Sequence, residues 1–320
     1  MRDSQTKICV IGTGMMGPGI AQIFASYGYS VSLHGRTAAK LDSAKERVQR
    51  NLAQMAEYGV AEKEAIPSIL DRIHTTTELK TASNGASVVI EAITENLSMK
   101  QDLFVELDRL CPPGAVLCSN TSVISITQIG ANASGRERIL GTHFYQPPFL
   151  VPLVEVVRTE FTAPAHMEFV FELLQKVGKV PVKVQKDVPG FIANRMQHAL
   201  WREAFALIDE GVCDPETVDI AVQNSFGFRL PVLGPVKNAD LVGLDLTLAI
   251  HEYVLPHLNQ SPLPSSTLRS HVCEGKLGFK TKSGFLNWTD ESMEATRERL
   301  STFLLEALKR KRDWETEPHR

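Results

Sequence analysis

Lys7-Ile8-Cys9-Val10-Ile11-Gly12-Thr13-Gly14-Met15-Met16-Gly17-Pro18-Gly19-Ile20-Ala21-Gln22-Ile23-Phe24-Ala25 is the stretch that decides the fold. A short apolar run enters a glycine turn, after which apolar residues recur at helical spacing. The glycines have distinct mechanical roles. Gly12 gives the tight turn, Gly14 lets backbone approach a pyrophosphate, and Gly17 lets the helix pack closely on the strand. Pro18 falls in the first helical turn, where its missing N–H does no harm. The helix start offers free N–H groups and the positive end of its dipole to phosphates. Met15 and Met16 complete the loop that would face a dinucleotide. A glycine-rich turn without a ligand is the other reading of the same pattern.

Working outward, apolar runs at 31–34, 73–75, 87–91, 115–119, 139–144, 153–157 and 180–184 read as strands. Helical patterns fill 38–58, 61–70 and 97–110 between them. Strands alternating with helices predict right-handed crossovers and an α/β fold, a Rossmann-type doubly wound parallel sheet. Asp187-Val188-Pro189-Gly190 stops regular structure, and from Phe191 onward the patterns are helical. The expected division is a dinucleotide-binding domain over 1–186 and an all-α C-terminal domain over 187–320, with a substrate cleft between them.

The 320 residues are 43% hydrophobic and 22% charged, ordinary values for a globular chain with a sizeable core. A formal net charge of −3 gives no basic field for nucleic acid. Residues 1–6 are polar and lead straight into the first strand, leaving no room for a signal peptide. No apolar run is long enough to span a bilayer, so a cytoplasmic protein with no membrane partner is expected. Cys9, Cys111, Cys118, Cys213 and Cys273 are scattered without metal-ligand spacing and read as reduced thiols; no metal is expected.

The stretch from Ser119 to Glu155 carries the chemistry. His143 ends an apolar run, Pro147-Pro148 breaks it, and Leu153-Val154-Glu155-Val156-Val157 is the next extended segment. A return of that length can set the Glu155 carboxylate beside the His143 imidazole. Such a carboxylate fixes the ring tautomer and supports a residue that exchanges a proton with a substrate oxygen. A structural ion pair is the alternative meaning of the same spacing.

Together these residues resemble the L-3-hydroxyacyl-CoA dehydrogenases of fatty acid metabolism, over nearly the whole chain. The resemblance rests on Gly12 to Ala21, Glu91-Ala92-Ile93-Thr94-Glu95-Asn96 with Lys100, Ser119-Asn120-Thr121-Ser122, and His143-Phe144 through Leu153-Val154-Glu155-Val156. It continues through Asp187 to Arg195, Gly243-Leu244-Asp245, and Gly278 to Trp288. It implies an NAD(P)-dependent oxidoreductase acting on CH–OH and interconverting 3-hydroxyacyl and 3-oxo compounds. His143 would be the acid/base residue and Glu155 its orienting partner. Ser122 and Asn194 would hold the substrate oxygen, with Asn120 in the same cofactor-facing motif, and Glu95 and Lys100 would lie along the cofactor. The family also implies a homodimer through the helical domain.

Three departures sharpen the expectation. Where the family usually has an aspartate ending the second strand, this chain has Gly35-Arg36-Thr37. Removing the carboxylate removes its repulsion toward a 2′-phosphate, Gly35 leaves space, and Arg36 can make a bidentate contact, so NADP(H) is expected over NAD(H). The long helix carries Lys45, Arg47 and Arg50 but no cation from Asn51 to Tyr58, a thin supply for coenzyme A phosphates. Gln146 keeps an amide for the nicotinamide carboxamide, while Pro152-Leu153-Val154-Glu155 resembles the gulonate and carnitine dehydrogenase branch, whose substrates are free hydroxy acids. Both a CoA thioester and a free acid therefore stay open as the small-molecule substrate, with Arg229 a candidate partner for a free carboxylate. A non-catalytic cofactor-binding protein is the alternative from another class. The segment 290–311 reads as an amphipathic helix with Leu300, Phe303, Leu304 and Leu308 on its apolar face.

Overall fold

The computed structural model describes residues 6–316, with side chains through Arg310. The expected polar lead at 1–5 and the side chain of Lys311 lie outside the described residues. One sheet is formed by β1 (Lys7–Ile11), β2 (Ser30–His34), β3 (Ile73–Thr76), β4 (Val88–Glu91), β5 (Val116–Ser119), β6 (Ile139–Phe144), β7 (Leu153–Arg158) and β8 (Val180–Val184). Its order is β3-β2-β1-β4-β5-β6-β7-β8. The chain reverses its direction of travel across the sheet between β1 and β4, so the carboxyl ends of these strands border the crevice where α/β sheets take ligands.

Both faces are covered at the centre of the sheet, which is why β1, β4 and β5 read as nearly continuous apolar runs. Along β1, Ile8 and Val10 enter one core cluster while Cys9 and Ile11 enter the other. Helix α1 (Gly17–Ser26) packs on the first face through Ile20, Ile23 and Phe24. Helix α2 (Ala38–Glu57) starts at Thr37, whose hydroxyl caps Lys40 N–H, and buries Leu41, Ala44, Val48 and Leu52. That spacing of three and four residues is the apolar stripe of an amphipathic helix.

The sheet is the expected Rossmann-type parallel one, with a single antiparallel pair. β6 and β7 are antiparallel, and β8 runs parallel to β7. No crossover helix separates β6 from β7; a connection without one can only turn the chain back on itself. His143 thereby lies directly opposite Glu155 in the ladder.

The chain forms two compact units. The first runs to Asn194 and resumes at Leu300; the second is Arg195–Arg299. A single second domain running from 187 to 320 is thus not what forms. The reason is Leu305, which is fully buried with Val60 and Leu150, with Tyr58, Phe149, Leu304 and Leu308 packed around them. Tyr58 Oη and Thr302 Oγ1 add a 2.9 Å hydrogen bond. Leu300 and Phe303, expected on the apolar face of the helix Asp290–Thr316, are exposed. The second unit is helical, with Phe205 and Phe285 stacked at 4.7 Å and Asp209 accepting hydrogen bonds from Ser265, Ser266 and Thr267.

Among the described residues no helix is long and apolar enough to cross a membrane.

Candidate active site

The dyad is built by strand register. His143 Nδ1–H donates to Glu155 Oε2 at 2.7 Å, and both side chains are buried. Glu155 Oε1 accepts the backbone N–H of Ile192 at 2.8 Å and Ala193 at 2.9 Å. These N–H groups sit at the start of the helix Ala193–Asp209, where backbone donors are otherwise unmatched. Burial alone would raise the Glu155 carboxyl, but the His143, Ala193 and Ile192 donors outweigh it and hold it below the ordinary carboxylate range. A fixed anion at Nδ1 leaves Nε2 as the working nitrogen of the ring.

His143 Nε2 lies 3.1 Å from Ser122 Oγ, and Asn194 Nδ2 donates to the Ser122 carbonyl at 3.0 Å. Ser122 follows β5 in a turn held from two sides. Asp187 accepts Ser125 Oγ–H and Thr127 N–H at 2.6 and 2.8 Å. Asn120 Oδ1 accepts Phe144 N–H at 2.9 Å, tying the end of β5 to the end of β6. The four expected catalytic residues, Ser122, His143, Glu155 and Asn194, therefore form one hydrogen-bonded group.

The glycine loop takes the form its residue types require. Gly12 has φ +118°, and a Cβ there would strike the Ala92 carbonyl. A Cβ on Gly17 would strike the carbonyl of Gly12, whereas around Gly14 nothing lies within 4 Å. The loop is closed on the protein side and open on the other, which fits a diphosphate lying against Gly14, Met15 and the start of α1.

At the end of β2, Arg36 and Thr37 are exposed and Gly35 is buried. The space expected at Gly35 is not there. A Cβ would lie 2.6 Å from Thr13 Cγ2 and 3.0 Å from Leu41 Cδ2.

Lys100, expected along the cofactor, is buried instead. Its ammonium pairs with Glu91 at 2.6 Å and Glu95 at 3.3 Å. It reaches the cofactor side only through exposed Glu95, which also accepts Thr121 Oγ1–H and Ser122 N–H. Burial works against the Glu95 charge, but Thr121 and the Lys100 ammonium keep its carboxyl below the usual range. Gln146 is exposed on the connection from β6 to β7.

Three neighbours are not evident from the sequence pattern. Glu91, fully buried, also receives Ser119 Oγ–H at 2.6 Å and Ile93 N–H at 2.7 Å; an acid closing an apolar strand nine residues before a lysine is its signal. Arg47, one of the cations of α2, donates to the carbonyls of Gly14 at 3.0 Å and Thr13 at 3.2 Å. Tyr145 places its ring 4.5 Å from that of His143 and its hydroxyl 3.4 Å from Glu155 and 3.3 Å from Asn194. Its position two residues after His143 is the signal, since alternate residues of extended chain share a face.

Comparison with known proteins matches residues 7–188 to the 3-hydroxyacyl-CoA dehydrogenase NAD binding domain and 190–288 to the 3-hydroxyacyl-CoA dehydrogenase C-terminal domain. A probable 3-hydroxybutyryl-CoA dehydrogenase of Deinococcus radiodurans is 39% identical over 284 residues, 88% of this chain and 100% of that protein. The 5-formyl-3-hydroxy-2-methylpyridine 4-carboxylate 5-dehydrogenase of Mesorhizobium japonicum is 33% identical over 290 residues, covering 90% and 93%. Among solved structures, a dehydrogenase of that pyridine carboxylate, described as an NAD+ dependent dismutase, superimposes with TM-score 0.88 at 31% identity, covering 98% of this chain and 99% of the other. The (S)-3-hydroxybutyryl-CoA dehydrogenase of Ralstonia eutropha gives 0.75 at 31% identity, covering 89% and 99%. With both domains matched in order across an α/β sheet that carries a buried His–Glu pair, the chain belongs to the 3-hydroxyacyl-CoA dehydrogenase family.

Proposed function

We propose that this protein is a nicotinamide-dependent dehydrogenase that interconverts a 3-hydroxyacyl compound and its 3-oxo form by hydride transfer. The observation that carries the proposal is the dyad: a buried imidazole, anchored at Nδ1 by a carboxylate, with Nε2 facing Ser122 at 3.1 Å. With the cofactor's diphosphate held at the glycine loop, its nicotinamide would supply the hydride acceptor or donor. His143 Nε2 takes the proton from the substrate hydroxyl in one direction and returns it in the other. Glu155 stabilises the imidazolium so formed. Ser122 Oγ and Asn194 Nδ2 supply donors where negative charge grows on the oxygen.

Arg36 supports NADP(H) as the preferred cofactor, because no carboxylate stands at Gly35 to accept a ribose hydroxyl. The pyridine-carboxylate relative uses NAD+, so both cofactors belong in the assay. Exposed apolar side chains on the helical unit, Phe228, Val232, Val236, Leu241 and Tyr253 among them, support homodimerisation through that unit. Free thiols at the five cysteines suit a reducing cytoplasm.

The family's named substrates make a CoA thioester the first reading. A second reading, a free carboxylic acid, is favoured by Arg47, whose guanidinium is engaged by the glycine loop and so leaves α2 with Lys40, Lys45 and Arg50, all in its first thirteen residues. The likeness to the pyridine-carboxylate dehydrogenase across 98% of this chain, when the family match ends at 288, points the same way.

The test is a panel of 3-oxo substrates, CoA-linked and free, followed by loss of NADPH or NADH absorbance, with His143→Ala as control. That variant should lower kcat by about two to four decades and leave cofactor affinity unchanged. Turnover close to wild type in His143→Ala would return the dyad to a structural ion pair. Tight, saturable use of acetoacetyl-CoA with no turnover of free acids would remove the second reading.

A further inference from the structure

The Tyr145 hydroxyl makes only long contacts, whereas the bonds that fix Glu155 are all short. It has a single proton, shared between Asn194 Oδ1 at 3.3 Å and Glu155 Oε2 at 3.4 Å. Glu155 has little need of it, holding three donors at 2.7, 2.8 and 2.9 Å already. Asn194 is different. Its amide donates from Nδ2 to the Ser122 carbonyl, an acceptor that cannot donate, while Oδ1 faces the phenol. An amide is locked against a flip only when its two ends meet partners of opposite kind. Ser122 and Tyr145 together provide this, leaving the second Nδ2 hydrogen for a substrate oxygen.

We infer that Tyr145 is a positioning residue of the active site, acting through Asn194 to fix the amide so that its free N–H meets the substrate oxygen, with a lesser hold on Glu155. Burial and the nearby Glu155 charge push the phenol above its ordinary range, so it remains a neutral donor throughout the working pH range. The titratable groups facing it are His143 and Glu155. This assignment rests on the acid/base role of His143, and the experiment separates the two.

Tyr145→Phe keeps the ring against His143 and removes only the hydroxyl. It should lower kcat about fivefold to thirtyfold, change the KM for cofactor less than twofold, and leave the melting temperature within a few degrees. Because Glu155 loses its outer donor, it holds the imidazolium more firmly, and the acid limb of the oxidation profile should move to higher pH. Asn194→Ala should cost more, and Tyr145→Phe added to it should cost nothing further, since the amide to be held is gone. The inference fails if Tyr145→Phe keeps wild-type kcat and pH profile while His143→Ala is inactive. It also fails if the two losses multiply in the double variant. Loss of activity in neither His143→Ala nor Tyr145→Phe would instead overturn the dyad itself.

Discussion

Replacing Glu155 by Gln changes one atom of the dyad, and its consequence follows from the partners of that carboxylate. Oε1 accepts two backbone N–H groups at 2.8 and 2.9 Å, so the Gln carbonyl must stay on that side. Turning the amide over would set a donor against two donors. The NH2 group is therefore placed where Oε2 was, 2.7 Å from His143 Nδ1. Facing a donor, Nδ1 must become the acceptor, and the ring proton moves to Nε2. The nitrogen that should receive the substrate proton is then already protonated. A wrong tautomer in a dyad of this kind costs about three to four decades in kcat, or roughly 4–5.5 kcal/mol. Stability should respond as well. The folded-state carboxyl lies below its unfolded value, so its contribution is complete above about pH 4.3 and is lost as pH falls through the folded pKa. Wild type should exceed the Gln variant by about 1–3 kcal/mol at pH 7, with the gap closing in acid. Oxidation rates at saturating cofactor and urea melts between pH 3 and 8 measure both. A folded Gln variant with kcat within threefold of wild type would refute the tautomer argument.

Arg36→Gln should cut the NADPH preference in kcat/KM by roughly tenfold to a hundredfold, the value of one charge-assisted contact; a wild type that already turns over NADH better removes the basis for it. Gly35→Asp alone should bind either cofactor poorly, because its Cβ meets the Thr13 methyl at 2.6 Å. Combined with Thr13→Ser, which deletes that methyl, it should favour NADH, as read from the ratio of the two specificity constants. Arg47→Ala releases the carbonyls of Thr13 and Gly14 and should raise the Kd of both cofactors about twofold to tenfold with kcat unchanged; fluorescence titration would show whether the two change together. Leu305→Ala should cost about 2–5 kcal/mol in chemical denaturation, since its side chain is fully enclosed by Val60 and Leu150; a loss below 1 kcal/mol would mean that this contact does not persist in solution.

The glycine loop and the dyad were legible because their signals are local. Gly12 and Gly17 are each pinned by backbone a few residues or one strand away, and the Pro147-Pro148 break announces that the chain returns. What stayed hidden depends on contacts between distant residues. Lys100 looks like any helix lysine until Glu91 closes over it. Arg47 reads like its exposed neighbour Arg50, and only the rotation of α2 against the glycine loop turns it to Thr13 and Gly14. Helical periodicity placed Leu300 and Phe303 inside, yet the contact with Val60 and Leu150 selects Leu305, because the surface receiving the helix covers a narrower stripe than the apolar pattern offers.

Leu305 also sets an order of events at the ribosome. Val60 and Leu150 belong to the first unit, but the residue that covers them is synthesised about 110 residues after Asn194, the last of that unit's opening segment. At bacterial or eukaryotic rates this is a delay of roughly 5–20 s. During it the α/β unit can fold its sheet and assemble the His143–Glu155 pair, but it carries an uncovered apolar patch formed with Met55, Tyr58 and Phe149. The nascent chain thus has a defined interval in which a chaperone has something to hold, and completion of the first unit waits on the whole of the second.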